Sequence, residues 1–378
     1  MSIGMFTNST FNGIPPLKYL ISYFYSLCGQ KVQVYHAEVR GLSVFKEQET
    51  QIYPLAVFES TAATLQQGGF TKIKRHLSLL YRIFQFQSTN KRSVLYCIDF
   101  ATCNLLLISQ LLFFFQRNKV IYHQFEMYDP ARASKFDKIN FWIFKKLASR
   151  LSLVIMPEIN RLTYFKQSTG IPGSIPTFIF PNTNSDKADF IPAANRVTQK
   201  ENIVIGHIGS LGTEQHFIKQ YVEVLRKLPP NFKSLFAGRI TPEVKSMLKE
   251  LGNRVQIIDH VLQHELKNVY ASIDIGIILY HPYELNTRYA APTKMYEYWS
   301  CGVPVIAHKL ISLEPLFINS IQGTLTDLSN PDVLYNELIN LSKQLETWDR
   351  NSLRQHFKDN FELNKFISGL DSIVRKTI

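Results

Sequence analysis

Hydrophobic positions along the chain follow two rhythms. Short apolar runs read as buried strands, and between them apolar residues recur at i, i+3, i+4 and i+7, as helices require. In the first half the runs are Ser2–Phe6, Val32–His36, Ile52–Val57, Ser93–Ile98, Lys119–His123 and Leu153–Met156. In the second half they are Ile203–Ile208, Ser234–Gly238, Val255–Ile258, Asp274–Leu279 and Val303–Ile306. Pro15-Pro16 opens the first helical stretch, with Leu17, Leu20, Ile21, Phe24, Leu27 and Cys28 on one side. Strands alternating with helices predict parallel sheets covered on both faces, and ligands on such sheets bind beyond the carboxyl ends of the strands. Asp99 and His123 fall at such ends, and Glu126 follows just after. The polar stretch Ser185–Gln199 reads as a linker between two domains.

One stretch, APTKMYEYWSCGVPVIA at Ala291–Ala307, carries candidate chemistry. Pro292 suits the first turn of a helix, Gly302 its stop, and Val303–Ile306 the strand after it. Met295, Tyr296, Tyr298 and Trp299 make the helix largely apolar; Lys294 and Glu297, at i and i+3, are the exceptions. A cation in the first turn costs roughly 0.3–1 kcal/mol against the helix dipole, and a bound phosphate reverses that sign. Glu297, one turn deeper, can accept hydrogen bonds from a diol. A phosphate and a diol that close together describe a nucleotide. The other reading is a pair within the helix worth about 0.2–0.5 kcal/mol, and these residues alone leave both open.

Two other loops fit a phosphate. Gly13 lies in the turn after the first strand, and GHIGSLG supplies Gly206, Gly209 and Gly212 after the first strand of the second half. Small residues there let a phosphate approach backbone N–H groups. Ser210 lies beside Gly209, and Arg239 follows the strand Ser234–Gly238. Each glycine also fits an ordinary turn.

Composition narrows the class. A chain of 378 residues favours two domains, and 45% hydrophobic with 19% charged residues is that of a globular protein. Cys28, Cys97, Cys103 and Cys301 show no C-x-x-C spacing and read as free thiols, which suits a cytoplasmic protein. The first residues lack the basic and apolar regions of a signal peptide, and the apolar run Leu105–Phe115 is too short to span a bilayer.

The net charge of +12 is uneven: residues 1–190 hold 21 Lys/Arg against 11 Asp/Glu, and residues 191–378 hold 21 against 19. The excess is carried by the first half and points to a polyanionic partner. Two helical patterns there interleave bases with apolar residues: Thr71–Phe86, with Lys72, Lys74, Arg75 and Arg82, and Ala131–Arg150, with Lys135, Lys138, Lys145 and Lys146. Both suit a helix lying on an anionic membrane, and both also suit a solvated basic face over core aromatics. No zinc spacing or RNA-binding aromatic motif favours nucleic acid.

The run Pro292, Lys294, Glu297, Tyr298, Gly302, Pro304, Val305 and Ile306 resembles the P-x-K-x-x-E-Y-x-x-x-G-x-P-V-I segment of GT-B glycosyltransferases, especially glycosyltransferase family four. VIMPEINR at Val154–Arg161 and Phe180-Pro181-Asn182 also resemble that family. The resemblance implies an α/β fold of GT-B type, two Rossmann-like domains facing a central cleft. It places an acceptor-side domain at 1–190, a nucleotide-sugar domain at 200–355 and a helix over 356–378 that crosses back to the first domain. It implies transfer of a sugar, with retention, from a UDP- or GDP-linked donor to an acceptor hydroxyl in a glycan or lipid-linked molecule, as in cell-surface polysaccharide synthesis. Glu297 is expected on the ribose and Lys294 near the diphosphate, with Gly13, Gly209, Ser210, Arg239, Pro292 and Thr293 around them. Tyr289 stands where the family has a second Glu that touches the sugar. His123 and Glu126 correspond to a His/Glu pair near the reacting groups, although in the family the His usually directly precedes the Glu. No D-x-D occurs, so no metal and no cofactor is expected. A sugar-nucleotide 2-epimerase and a non-catalytic GT-B-like subunit that binds a partner or the membrane are the alternatives.

Overall fold

The computed structural model describes residues 1–11, 14–39, 45–59, 69–185, 202–259, 261, 265–318 and 320–378. Gly13 and all of the expected linker except Ser185 lie outside them. The chain divides into two compact units, Met1–Pro181 with Lys365–Ile378, and Asn182–Asn364.

In the first unit the order is β1 (Ile3–Phe6), α1 (Pro15–Cys28), β2 (Val32–Val39), β3 (Thr50–Phe58), α2 (Gly69–Thr89), β4 (Val94–Cys97), α3 (Phe100–Leu112), β5 (Lys119–His123), α4 (Lys135–Leu147), β6 (Leu153–Met156), α5 (Ile159–Thr169) and β7 (Thr177–Ile179). The seven strands pair in parallel in the order β3-β2-β1-β4-β5-β6-β7. Parallel neighbours need a crossover: α1 supplies it between β1 and β2, α3 between β4 and β5, α4 between β5 and β6, and α5 between β6 and β7. Beneath α2, α3 and α4 the core holds Leu79, Ile83, Leu106, Leu107 and Phe144 against β4 and β5.

The second unit runs β8 (Ile203–Ile208), α6 (Ile218–Lys227), β9 (Phe232–Ala237), α7 (Pro242–Lys249), β10 (Val255–Ile258), α8 (Leu266–Ser272), β11 (Ile275–Ile278), α9 (Leu285–Arg288), α10 (Thr293–Ser300), β12 (Val305–His308), β13 (Gly323–Thr326), α11 (Pro331–Gln344) and α12 (Arg350–Asn360). Its six parallel strands take the order β10-β9-β8-β11-β12-β13. Each sheet therefore reverses its winding beside its first strand, at β1/β4 and at β8/β11, and crevices for ligands open at such points.

The last helix, α13 (Leu363–Thr377), returns the chain to the first unit. There Tyr23 of α1 donates to Asp371 Oδ1 at 3.0 Å, and a Cβ on Gly369 would stand 3.1 Å from the Phe178 ring.

Candidate functional site

The candidate site lies in the second unit, where β8 ends against the start of α10. Pro292 is the N-cap of that helix rather than part of its first turn: its backbone is extended, with φ −76° and ψ 117°, and its carbonyl accepts from Met295 N–H at 3.2 Å. No side chain caps α10 and no acidic residue sits in its first turn. Its leading N–H groups and the positive end of its dipole are thus left for a ligand.

Tyr298 fixes this helix against the strand. Its hydroxyl donates to Gly206 O at 2.7 Å and accepts from Ile208 N–H at 3.2 Å. The ring lies where a Cβ on Gly276 would reach it at 2.7 Å, so β11 must carry glycine there. Beyond β8 the chain turns at Gly209, φ +120°, whose N–H donates to Ala237 O at 2.8 Å. Gly238, φ +127°, has no room for a side chain, because a Cβ would fall 2.6 Å from Gly209 O. The loops after β8 and β9 therefore run backbone to backbone, and Leu211 N–H donates to Arg239 O at 3.0 Å.

Lys294 reaches into this corner. A Cβ on Gly209 would stand 3.2 Å from Lys294 Nζ, and the ammonium lies 5.1 Å from the Tyr280 ring centroid. His207 meets it from β8: Nδ1 lies 3.2 Å from Ile277 O, and Nε2 lies 3.4 Å from Lys294 Nζ. Nε2 also lies 3.5 Å from Ser210 O, but the ammonium beside it is a donor, so the proton sits on Nδ1, toward the nearer carbonyl, and the Nε2 lone pair faces Lys294. His216 lies beside it, with Nδ1 3.1 Å from Gly212 O and 3.3 Å from Gly212 N, and a buried Nε2 that has no hydrogen-bond partner. Burial, and then the Lys294 charge, hold His207 well below the usual imidazole range and bring His216 down to about 4. Burial also lowers Lys294 to about 8, with Glu297 opposing the shift. The corner thus sets a cation beside the uncapped start of α10, and both favour an anion there.

Glu297 lies one turn further along α10. Tyr270 of α8 donates to its Oε2 at 2.5 Å, which leaves the carboxylate a second oxygen for a ligand hydroxyl. Asn182 Nδ2 donates to Ala291 O at 2.9 Å and steadies the loop before the helix. Ser210 and Arg239 are exposed, Thr293 and Tyr289 half-buried.

Lys294, Glu297, Gly209, Ser210, Pro292 and Thr293 are thus gathered at one corner, and Arg239 follows the neighbouring strand. His207, His216, Tyr270 and Tyr280 were not among the expected site residues. His207 had left one sign, a polar residue inside the apolar run Ile203–Ile208.

His123 and Glu126 belong to the first unit. His123 is fully buried at the end of β5, and burial lowers it to about 3, so it is neutral. Tyr96 Oη lies 2.6 Å from Nδ1, and the buried Nε2 has no hydrogen-bond partner. Held neutral by burial, this histidine is a poor base at neutral pH. Glu126 is exposed.

Residues 202–344 match the family model described as Glycosyl transferases group 1. The matched segment lies within the second unit. Solved structures match over the whole chain. HepE of Anabaena, in complex with UDP and glucose, is 18% identical, with 100% of each chain covered and a TM-score of 0.73. A glycosyltransferase from Rickettsia africae is 14% identical, covering 100% of this chain and 98% of its own, with a TM-score of 0.70. Sucrose-phosphate synthase of Thermosynechococcus elongatus is 13% identical over the same shares, also with a TM-score of 0.70. At these identities the likeness establishes the fold, which is GT-B. No curated protein sequence matches the chain.

Proposed function

We propose that this protein is a retaining glycosyltransferase that moves a sugar from a nucleotide-linked donor to an acceptor hydroxyl in cell-surface glycan or glycolipid synthesis. One observation carries the reading: an uncapped helix N-terminus with a half-buried lysine stands one turn from a carboxylate that has a free oxygen. Lys294, the first N–H groups of α10 and the Gly209–Ser210 backbone would take the diphosphate, with Arg239 as a second cation. Glu297 would take the ribose diol, and Tyr289 with Thr293 would border the sugar. The catalytic work is electrostatic, since charge builds on the leaving diphosphate and fixed donors stabilise it without reorganising. His123 would offer a neutral imidazole to a sugar hydroxyl, and Glu126 a carboxylate. Because HepE was solved with UDP, uridine is the first base to test, with guanosine second.

Calorimetry with UDP, GDP and their sugars tests the binding, and turnover with lipid-linked and soluble glycan acceptors tests the transfer. The anomeric configuration of the product decides retention. Donor incubated alone separates the alternative, since a 2-epimerase would convert it without acceptor. Absence of any nucleoside diphosphate binding would remove the reading.

The lysine adds a pH signature. Its free pKa is about 8, and a bound diphosphate raises it, so binding above pH 8 takes up a proton. Affinity for UDP is expected to be level at neutral pH and to fall as pH rises through about 8 toward the higher pKa of the complex. His207 and His216 are neutral throughout that window. Lys294→Met should abolish the slope, as calorimetry across neutral and alkaline pH would show.

A further inference from the structure

The first unit carries an apolar face that its own core does not cover. On α2, Ile73, Leu77 and Tyr81 recur every fourth residue and are each at least 60% exposed, while Leu79, Ile83 and Phe86 fill the core side. On α4, Lys135, Ile139, Trp142 and Lys146 share one face at spacings of four, three and four residues, and Trp142 is 60% exposed. The turn after α3 projects Phe114 and Phe115, and Phe114 at 76% is the most exposed large apolar side chain of the described residues.

These elements form one platform. The ring of His76 meets Phe136 edge-on at 6.3 Å, joining α2 to α4. Asn104 of α3 donates to Asn140 O of α4 at 2.7 Å, and Phe84 of α2 packs on Phe113 at 5.5 Å. Beside the Phe114–Phe115 turn, Arg92 and Arg117 are exposed, and Arg92 N–H donates to Gln116 O at 2.9 Å.

The charge on this platform is almost all positive. Residues 69–89 and 100–118 contain no Asp or Glu, and residues 131–150 contain one, Asp137, which is engaged with Ser134 in the cap of α4. Lys74, Lys135, Lys138, Lys145 and Lys146 are exposed, and none is held in an ion pair. Two of the bases expected to serve a membrane do otherwise: Arg75 turns inward to Asn8 Oδ1 at 2.9 Å, and Arg82 lies over the Tyr53 ring. The Lys72 side chain lies outside the described residues.

We propose that the first unit docks on an anionic phospholipid bilayer through this face. Lysines and arginines meet the headgroups, and Trp142, Phe114 and Phe115 enter the boundary between headgroups and acyl chains. Unpaired lysines among exposed aromatics suit that surface, where bases are attracted and tryptophan anchors; protein interfaces instead disfavour lysine. The inference is independent of sugar transfer, but it would bring such an enzyme to a lipid-linked acceptor.

Co-sedimentation of the full chain with phosphatidylcholine vesicles, with and without phosphatidylglycerol, tests it. Binding is expected only to the anionic vesicles at low salt and should weaken at high salt. Of the three tryptophans, Trp142 is exposed, Trp299 buried and Trp348 half-buried, so emission should shift to the blue on binding and the shift should vanish in Trp142→Phe. Lys135→Gln with Lys146→Gln should weaken binding by roughly 30-fold, and Phe114→Ser with Phe115→Ser should remove the part that survives salt. Thermal unfolding confirms that the variants fold, and UDP affinity without lipid reports separately on the transferase reading. Equal binding to both vesicles, or none at low salt, overturns the proposal. So does self-association through the same residues without lipid binding.

Discussion

Glu297→Gln is expected to weaken UDP binding by roughly 10- to 150-fold, the loss of one hydrogen bond to a charged group worth about 1.5–3 kcal/mol. The carboxylate has one oxygen committed to Tyr270 and one available. Glutamine keeps an acceptor for Tyr270, so the contact between α8 and α10 survives. The diol, however, then meets the amide nitrogen, a donor, where the carboxylate offered it an acceptor oxygen. Calorimetry with UDP and with 2′,3′-dideoxy-UDP separates the effects: the variant should lose affinity for the first and little for the second. Unchanged UDP affinity in a folded variant would detach Glu297 from the ribose.

Lys294→Ala should reduce UDP affinity by about 100-fold while changing uridine affinity only a few-fold. Burial already places the ammonium at a cost in the free protein, and the helix dipole adds to it. A diphosphate relieves both, so the lysine contributes more to the complex than an exposed cation would. In the free protein the substitution should raise stability at neutral pH. The unfolded chain binds the Lys294 proton up to its ordinary pKa while the fold releases it at about 8, so stability rises with pH between those values, and the variant lacks that rise. Equal losses for UDP and uridine would make Lys294 a structural residue.

Much of this was legible because parallel strands are written as short, largely apolar runs. Lys119–His123, Leu153–Met156, Ile203–Ile208 and Val255–Ile258 have the same limits in sequence and in structure. β7 and β13 left no such signal. The first has only three residues, and the second, Gly-Thr-Leu-Thr at a sheet edge, is half-buried and carries a glycine. The strand expected from Val303 begins at Val305, since Pro304 has no N–H to give the ladder; its carbonyl still accepts from Gly276 N–H at 2.8 Å. The site divides in the same way. Lys294 and Glu297 stood out as the only charges on an apolar helix. His207 and His216 did not, because what matters about them is the groups each ring meets in the fold, and a chain distance of 70 residues separates His207 from Ile277.

The corner that holds Lys294 also decides its reactivity. An amine with a pKa of about 8 is partly unprotonated at neutral pH, while lysines at their ordinary pKa are almost wholly protonated and react more slowly with electrophiles. Lys294 should therefore react ahead of the exposed lysines. An aldehyde bearing a phosphate would be drawn by the same uncapped helix that draws a diphosphate, and would form an imine there before reacting with other lysines. The site could then be titrated and competed by covalent labelling, with no donor sugar or acceptor yet identified.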